Sequence, residues 1–217
     1  MKLRWSLAVL LAAAAIAQVA ERANEGYQTR ESRRRVARWL DSTHRDELVK
    51  PRELVAALKL APGMTVVDLG TGAGFLLPYL SEAVGPSGKV LAQDIHPDFL
   101  DLARRKIEAR KLSNVEFVLG TETDVNLPRR IADVVVTLDT YHHFNYPERM
   151  LEGIRGTLKA GGRLVVVDYY KAYFRDPDHV RLEDVEVVKE IEANGFRLVY
   201  RRDHIPRSQY LLVFRRK

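Results

Sequence analysis

The stretch Val66-Val67-Asp68-Leu69-Gly70-Thr71-Gly72-Ala73-Gly74 constrains the fold of this chain more than any other. A short apolar run of the kind that forms a buried parallel strand, Thr65–Leu69, passes straight into three alternate glycines, and a helical pattern, Phe75–Val84, follows. Strand, glycine turn and helix together open a βαβ unit. Glycines allow the turn to tighten and let backbone N–H groups approach a ligand at the helix N-terminus. A dinucleotide site would call for G-x-G-x-x-G with a pyrophosphate on that helix. Here the third glycine falls one place early, and Phe75 stands in its position. Asp68, just before the loop, would repel phosphates and attract an ammonium group, which argues for a cofactor carrying an amino acid. An ordinary strand–helix turn is the plainer alternative.

The rest of the chain keeps the alternation. Val90–Gln93 reads as a second strand ending in Asp94, 20 residues after Gly74. A carboxylate at that strand edge accepts both hydroxyls of a ribose, or else caps the helix that starts at Pro97. Pro97–Arg110 is an amphipathic helix, Val115–Leu119 and Ala132–Leu138 are strands three and four, and Pro147–Leu158 is a helix closed by Gly161-Gly162. Arg163–Asp168 is strand five, and Leu182–Asn194 a helix. Strands alternating with helices predict an α/β, doubly wound, mostly parallel sheet with helices on both faces. The last two strands, Phe196–Arg201 and Gln209–Arg215, share a short non-helical loop and must pair antiparallel.

The N-terminus departs from this pattern. Lys2 and Arg4 precede an apolar run from Trp5 to Ala17, with Ala15-Ile16-Ala17 as a cleavage site, the layout of a signal peptide. The run is shorter than the roughly 20 apolar residues of a spanning helix. Arg22, Arg30, Arg33, Arg34 and Arg35 follow it and favour the alternative of an uncleaved anchor with the domain in the cytoplasm. A start codon placed too far upstream is a third reading. The predicted organisation is therefore residues 1–20 as signal peptide or membrane anchor, 21–50 as a helical N-terminal extension, and 51–217 as one domain. Export, periplasmic or extracellular, is the first expectation for location. The 217 residues contain no cysteine, which excludes a disulfide scaffold, cysteine-ligated metal centres and thiol catalysis.

The loop Asp68-Leu69-Gly70-Thr71-Gly72-Ala73-Gly74 resembles the signature loop of class I S-adenosylmethionine-dependent methyltransferases. The likeness continues through Gln93-Asp94-Ile95-His96-Pro97, Thr137-Leu138-Asp139 and Leu158-Lys159-Ala160-Gly161-Gly162-Arg163-Leu164, over about residues 50–215. It implies a seven-stranded sheet with the last strand reversed, and S-adenosyl-L-methionine as cofactor. By that resemblance Gly70, Thr71, Gly72 and Gly74 cradle the methionine part, Asp68 lies near its amino group, Asp94 and Ile95 hold the ribose, and Leu138 borders the site. In the family an aspartate commonly follows the glycine after strand three; here Gly120 is followed by Thr121 and Glu122. Either Glu122 meets the adenine or Thr121 caps the turn.

Residues at the end of strand four face the methyl group in this architecture: Asp139-Thr140-Tyr141-His142-His143-Phe144. A neutral imidazole near pH 7 suits a hydroxyl or amine acceptor, so His142 and His143 are candidate bases, with Asp139 as a cofactor or amine contact. The blander reading has both histidines lining the pocket without proton transfer. No metal site is expected, because adjacent side chains diverge and no third ligand has a telling spacing. Asp168, Tyr169 and Tyr170 are a possible further wall, and capping and core packing explain them as well. The formal net charge is +6, from 35 Lys plus Arg against 29 Asp plus Glu. Its basic pairs and triplets, such as Arg33-Arg34-Arg35 and Arg215-Arg216-Lys217, are dispersed and lack interleaved aromatics, so no nucleic-acid partner is expected. The predicted partner is a small-molecule substrate, lipid- or quinone-like, with membrane association through residues 1–20. A non-catalytic cofactor-binding sensor and a nicotinamide-dependent oxidoreductase are the rival readings.

Overall fold

The structure is a computed structural model that describes residues 18–42 and 44–217. The apolar run assigned to a signal or anchor lies outside the described residues. Among the described residues no helix is long and apolar enough to cross a membrane.

Seven strands form one sheet: β1 (Thr65–Leu69), β2 (Lys89–Asp94), β3 (Val115–Leu119), β4 (Ala132–Leu138), β5 (Leu158–Tyr169), β6 (Phe196–Ile205) and β7 (Gln209–Arg216). Their order is β3-β2-β1-β4-β5-β7-β6. β7 pairs antiparallel with both β5 and β6, and every other pairing is parallel. The valine-rich runs arise because both faces of the sheet are covered. Val67, Leu69, Val135 and Leu164 pack under α7 (Pro147–Thr157) and α8 (Asp184–Ala193). Their strand neighbours Val66, Val134, Val136 and Val165 face α4 (Pro51–Ala57), α5 (Leu77–Val84) and α6 (Pro97–Ala109). Strand order reverses between β1 and β4, and the crevice at their carboxyl ends is where such sheets take ligands.

Several boundaries differ from the sequence reading, three of them with a clear physical reason. Gly161-Gly162, expected to close a helix, lies inside β5, which starts at Leu158 opposite Ala132 and shifts register before Arg163 meets Val134. β6 continues to Ile205, since its pairing with β7 reaches Gln209 through two register shifts. α5 starts at Leu77, because Phe75 and Leu76 still belong to the glycine turn.

Among the described residues, four helical pieces precede α4: α1 (Glu21–Asn24), a 3-10 turn over Glu25–Tyr27, α2 (Arg30–Leu40) and α3 (His44–Val49). Thr29 caps α2 through a reciprocal bond with Ser32. The Arg33 guanidinium reaches both oxygens of Asp98 at 3.0 Å, and Asp41 pairs with Lys106. Both partners lie on α6, so the extension is strapped across the carboxyl edge of β1 and β2.

Candidate active site

The crevice is a cleft of about 960 Å³, open to solvent on one side. Its floor is the turn after β1. Gly70 has φ +76, and a Cβ there would stand 2.2 Å from Thr140 Cγ2, so glycine is what lets the β1 and β4 ends touch. Gly74 faces away from the cleft: its missing Cβ would meet Ala103 on α6 at 2.9 Å. Four of the loop's N–H groups are spent internally. Gly70 and Thr71 donate to the Gln93 carbonyl, Gly72 donates to Asp94, and Gly74 donates to the Thr71 carbonyl. The turn therefore supplies shape rather than a nest of free donors, which suits a cofactor without phosphates.

Asp68 and Asp94 lie on the floor, both buried. Asp68 accepts from the Thr71 hydroxyl at 2.7 Å, and Asp94 accepts from Gly72 N–H at 2.8 Å and His96 N–H at 2.9 Å. Burial pushes each carboxyl up to about 6 despite those bonds. A carboxylate raised in this way is stabilised by a cation or by hydroxyl donors placed against it.

Arg45 is a site residue the sequence reading missed. It comes from α3 and is buried, only 4% exposed, in the wall of the cleft. Its guanidinium lies over the Phe75 ring at 4.8 Å and the Trp39 ring at 5.2 Å. One nitrogen donates to Asp139 Oδ2 at 3.0 Å, while Nε and Nη1 have no partner. Gln93 Nε2 is also buried without a partner on the cleft wall. Its sequence signal was a glutamine inside an apolar strand. Nothing in the sequence marked Arg45 among its many neighbouring arginines.

These orphaned donors and raised carboxyls fit an amino-acid nucleoside. Arg45 would meet the carboxylate of S-adenosylmethionine, Asp68 its ammonium group, and Asp94 with Ile95 its ribose. Thr121 and Glu122 both border the mouth. Thr121 Oγ1 accepts from Asp124 N–H at 3.0 Å and so caps the turn, while Glu122 is exposed beside Gln18. Leu138 lines the cleft at the end of β4.

The three candidate catalytic residues divide. Asp139, in the left-handed region at φ +51, accepts from Arg45, from Tyr169 Oη at 3.1 Å and from Gln209 Nε2 at 2.6 Å. Its oxygens are fully engaged, and it works as the anchor of Arg45. His142 is buried behind the cleft with Nδ1 2.6 Å from Asp168 Oδ1. Burial pulls its pKa down, but the Asp168 charge outweighs burial and leaves it raised. His143 lines the cleft. Burial and the nearby His142 and His179 hold His143 well below the usual value, so its ring is neutral. Its Nδ1 lies 3.0 Å from Asn24 Oδ1, while Asn24 Nδ2 donates to the His143 carbonyl. That arrangement makes Nδ1 the donor and leaves the Nε2 lone pair free. The rings of His142 and His143 do not diverge as expected, with centroids 4.1 Å apart. His179, 36 residues further on, joins them.

The switch-point crevice, its buried acids and its orphaned guanidinium define a Rossmann-like site for a nucleoside cofactor with an amino-acid end. A family profile described as a methyltransferase domain matches residues 60–199. The chain is similar to a SAM-dependent methyltransferase structure from Aquifex aeolicus: 31% identity, TM-score 0.77, covering 82% of this chain and 95% of that one. It is also 32% identical over 125 residues to an arsenite methyltransferase of Halobacterium salinarum, covering 57% of this chain and 32% of the relative. A demethylmenaquinone methyltransferase of Lactococcus lactis is 34% identical over 108 residues, 49% of this chain and 42% of its own. The matched stretch spans less than half the length of these two curated relatives. The chain belongs to the class I S-adenosylmethionine-dependent methyltransferase family, and S-adenosylmethionine is its cofactor.

Proposed function

We propose that this chain transfers a methyl group from S-adenosylmethionine to a small-molecule acceptor of quinone- or lipid-like character. The observation that carries the reading is the division of the cleft. Arg45, Asp68 and Asp94 gather the buried charge on one side, while Tyr27, Phe144, Met150 and His143 give the remainder an apolar and aromatic lining. A flat apolar ring fits that remainder. The similarity to methyltransferases named for demethylmenaquinone and for arsenite supports a small acceptor.

The cofactor supplies an activated methyl on a sulfonium. The protein has to position the acceptor in line with it, exclude water and receive a proton where the acceptor carries one. Tyr27, from the extension, packs its ring against His143 at 4.8 Å and against His96 and Phe99 at 6.0 Å, closing the acceptor side. The free Nε2 of His143 accepts the acceptor's proton in this reading, with Asn24 holding the tautomer. His142, held behind the cleft by Asp168, and Asp139, its oxygens engaged by Arg45, Tyr169 and Gln209, are positioning residues.

Calorimetry with S-adenosylhomocysteine and NAD tests the cofactor half. The homocysteine product should bind one to one and NAD should not, and Asp94→Ala should weaken the former about 100-fold as a charged hydrogen-bonding group is lost. Turnover on a panel of quinols, catechols, thiols and arsenite tests the acceptor half. His143→Ala should slow it about 100-fold with product affinity unchanged. Binding without turnover on any acceptor would favour a sensor. Residues 1–20 are proposed to address the chain to export, and N-terminal sequencing of the native protein, which reveals cleavage after Ala17 or its lack, tests this.

A further inference from the structure

We propose that His142, His143 and His179 form a binding site for a divalent transition metal of the zinc class at the wall of the cleft. One ring nitrogen of each lies within 4.8 Å of the others. Ligands of a tetrahedral zinc site, at about 2.0–2.1 Å from the metal, stand roughly 3.4 Å apart. The cluster therefore has to tighten by at most about 1.4 Å. The residue able to make that adjustment is His179, half-buried on the short turn Pro177–His179 and stacked on Phe174 at 5.4 Å.

The outer arrangement is that of a ligand set. Metal-bound imidazoles hand their second nitrogen to a carboxylate or carbonyl oxygen, which fixes ring orientation and tautomer. His142 does this with Asp168 and His143 with Asn24 Oδ1, so Nε2 of both is left for a cation. Asp168 is itself held, accepting from the His142 and Tyr169 N–H groups at 3.0 and 2.8 Å. Three nitrogen ligands without a thiolate or a first-shell carboxylate favour zinc, cobalt, nickel or copper over magnesium and calcium. Three protein ligands leave a coordination position vacant, the hallmark of a reactive rather than a structural centre. His143 belongs to both the cluster and the cleft wall. Metal binding and use of its lone pair for the acceptor's proton would therefore exclude one another. Only this consequence rests on the proposed function; the site itself rests on the histidines.

The experiment uses the full-length chain without an affinity tag, stripped by chelator and titrated with cobalt(II). One equivalent should bind with the visible absorption of a four- or five-coordinate nitrogen site, and zinc should displace it. His179→Ala should abolish the absorption while S-adenosylhomocysteine binds as before, since His179 does not border the cofactor cleft. Asn24→Ala should weaken cobalt affinity about 10- to 100-fold, as loss of an outer-shell partner does. Absence of stoichiometric cobalt binding overturns the proposal, and so does binding that His179→Ala leaves intact. Cobalt binding without product binding would overturn the methyltransferase reading and leave the metal site standing.

Discussion

At the scale of single residues, the cofactor side of the cleft is built from groups that the free protein stabilises poorly. Asp68 is buried with one hydroxyl partner and its carboxyl pushed up to about 6. In the unfolded chain an aspartate titrates near 3.9, so the folded state binds the extra proton between about pH 4 and 6. Its ionised form therefore costs stability that is absent below about pH 4 and fully present above about pH 6, of order 3 kcal/mol before relaxation. Asp68→Asn keeps the acceptor for the Thr71 hydroxyl and removes the charge. The variant should melt higher than the parent at pH 7.5 without ligand, the difference should vanish on acidification to pH 4, and product affinity should fall at pH 7.5. A variant that melts lower at pH 7.5 would show that the ionised carboxylate is satisfied within the protein. Arg45 permits a sharper cut. Its unpartnered nitrogens meet only the amino-acid end of the cofactor in this reading, so Arg45→Met should lose about 10- to 100-fold affinity for S-adenosylhomocysteine. It should bind methylthioadenosine, which lacks that end, as well as the parent does. Equal losses for both ligands would place Arg45 elsewhere.

At the scale of elements, the extension is a wall of the site. Its anchors are polar: the Arg33–Asp98 fork, the Asp41–Lys106 pair and, just before its first residue, the bonds that the Val19 and Ala20 N–H groups donate to the Asn145 carbonyl and Oδ1. Helix α2 buries only Ala37. A segment with few apolar contacts opens locally at a fraction of the global stability. A ligand held between Arg45 on α3 and the acids at the ends of β1 and β2 would tie the extension down. Trypsin should therefore cut within Arg30–Arg38 of the free protein and do so markedly more slowly with saturating S-adenosylhomocysteine. An unchanged rate would mean that the extension does not close on the cofactor. The sequence made the helicity of this segment legible through the short apolar stripe of Val36, Trp39 and Leu40. It did not make its position legible, because Tyr27, Asn24 and Arg45 reach the site through contacts with residues 69 to 119 positions away, and no local pattern encodes those. The histidine cluster stayed hidden for the same reason, His179 arriving from a loop after β5.

For the whole molecule, the sheet was the legible part. Strands buried on both faces write themselves as continuous valine and leucine runs, and a short loop between the last two allows only an antiparallel pair. What such runs leave open is where a strand stops once pairing continues past a glycine, as in β5 around Gly161. The same architecture makes cofactor binding a property of the entire fold, because the cleft joins β1, β2, β4 and the extension. A ligand that binds only the folded state stabilises it by about 2.7 kcal/mol at 100 times its dissociation constant. For a chain of this size that is worth roughly 5–11 °C in melting temperature. S-adenosylhomocysteine at that concentration should raise the transition of the full chain as one step by such an amount. Asp94→Ala, binding about 100-fold more weakly, then sits near its dissociation constant and gains only about 0.4 kcal/mol, roughly 1 °C. A shift of equal size in parent and variant would mean that the ligand stabilises the molecule from somewhere other than the β1–β2 edge. A shift with NAD in place of the homocysteine ligand would restore the dinucleotide alternative that the glycine spacing and Asp68 argue against.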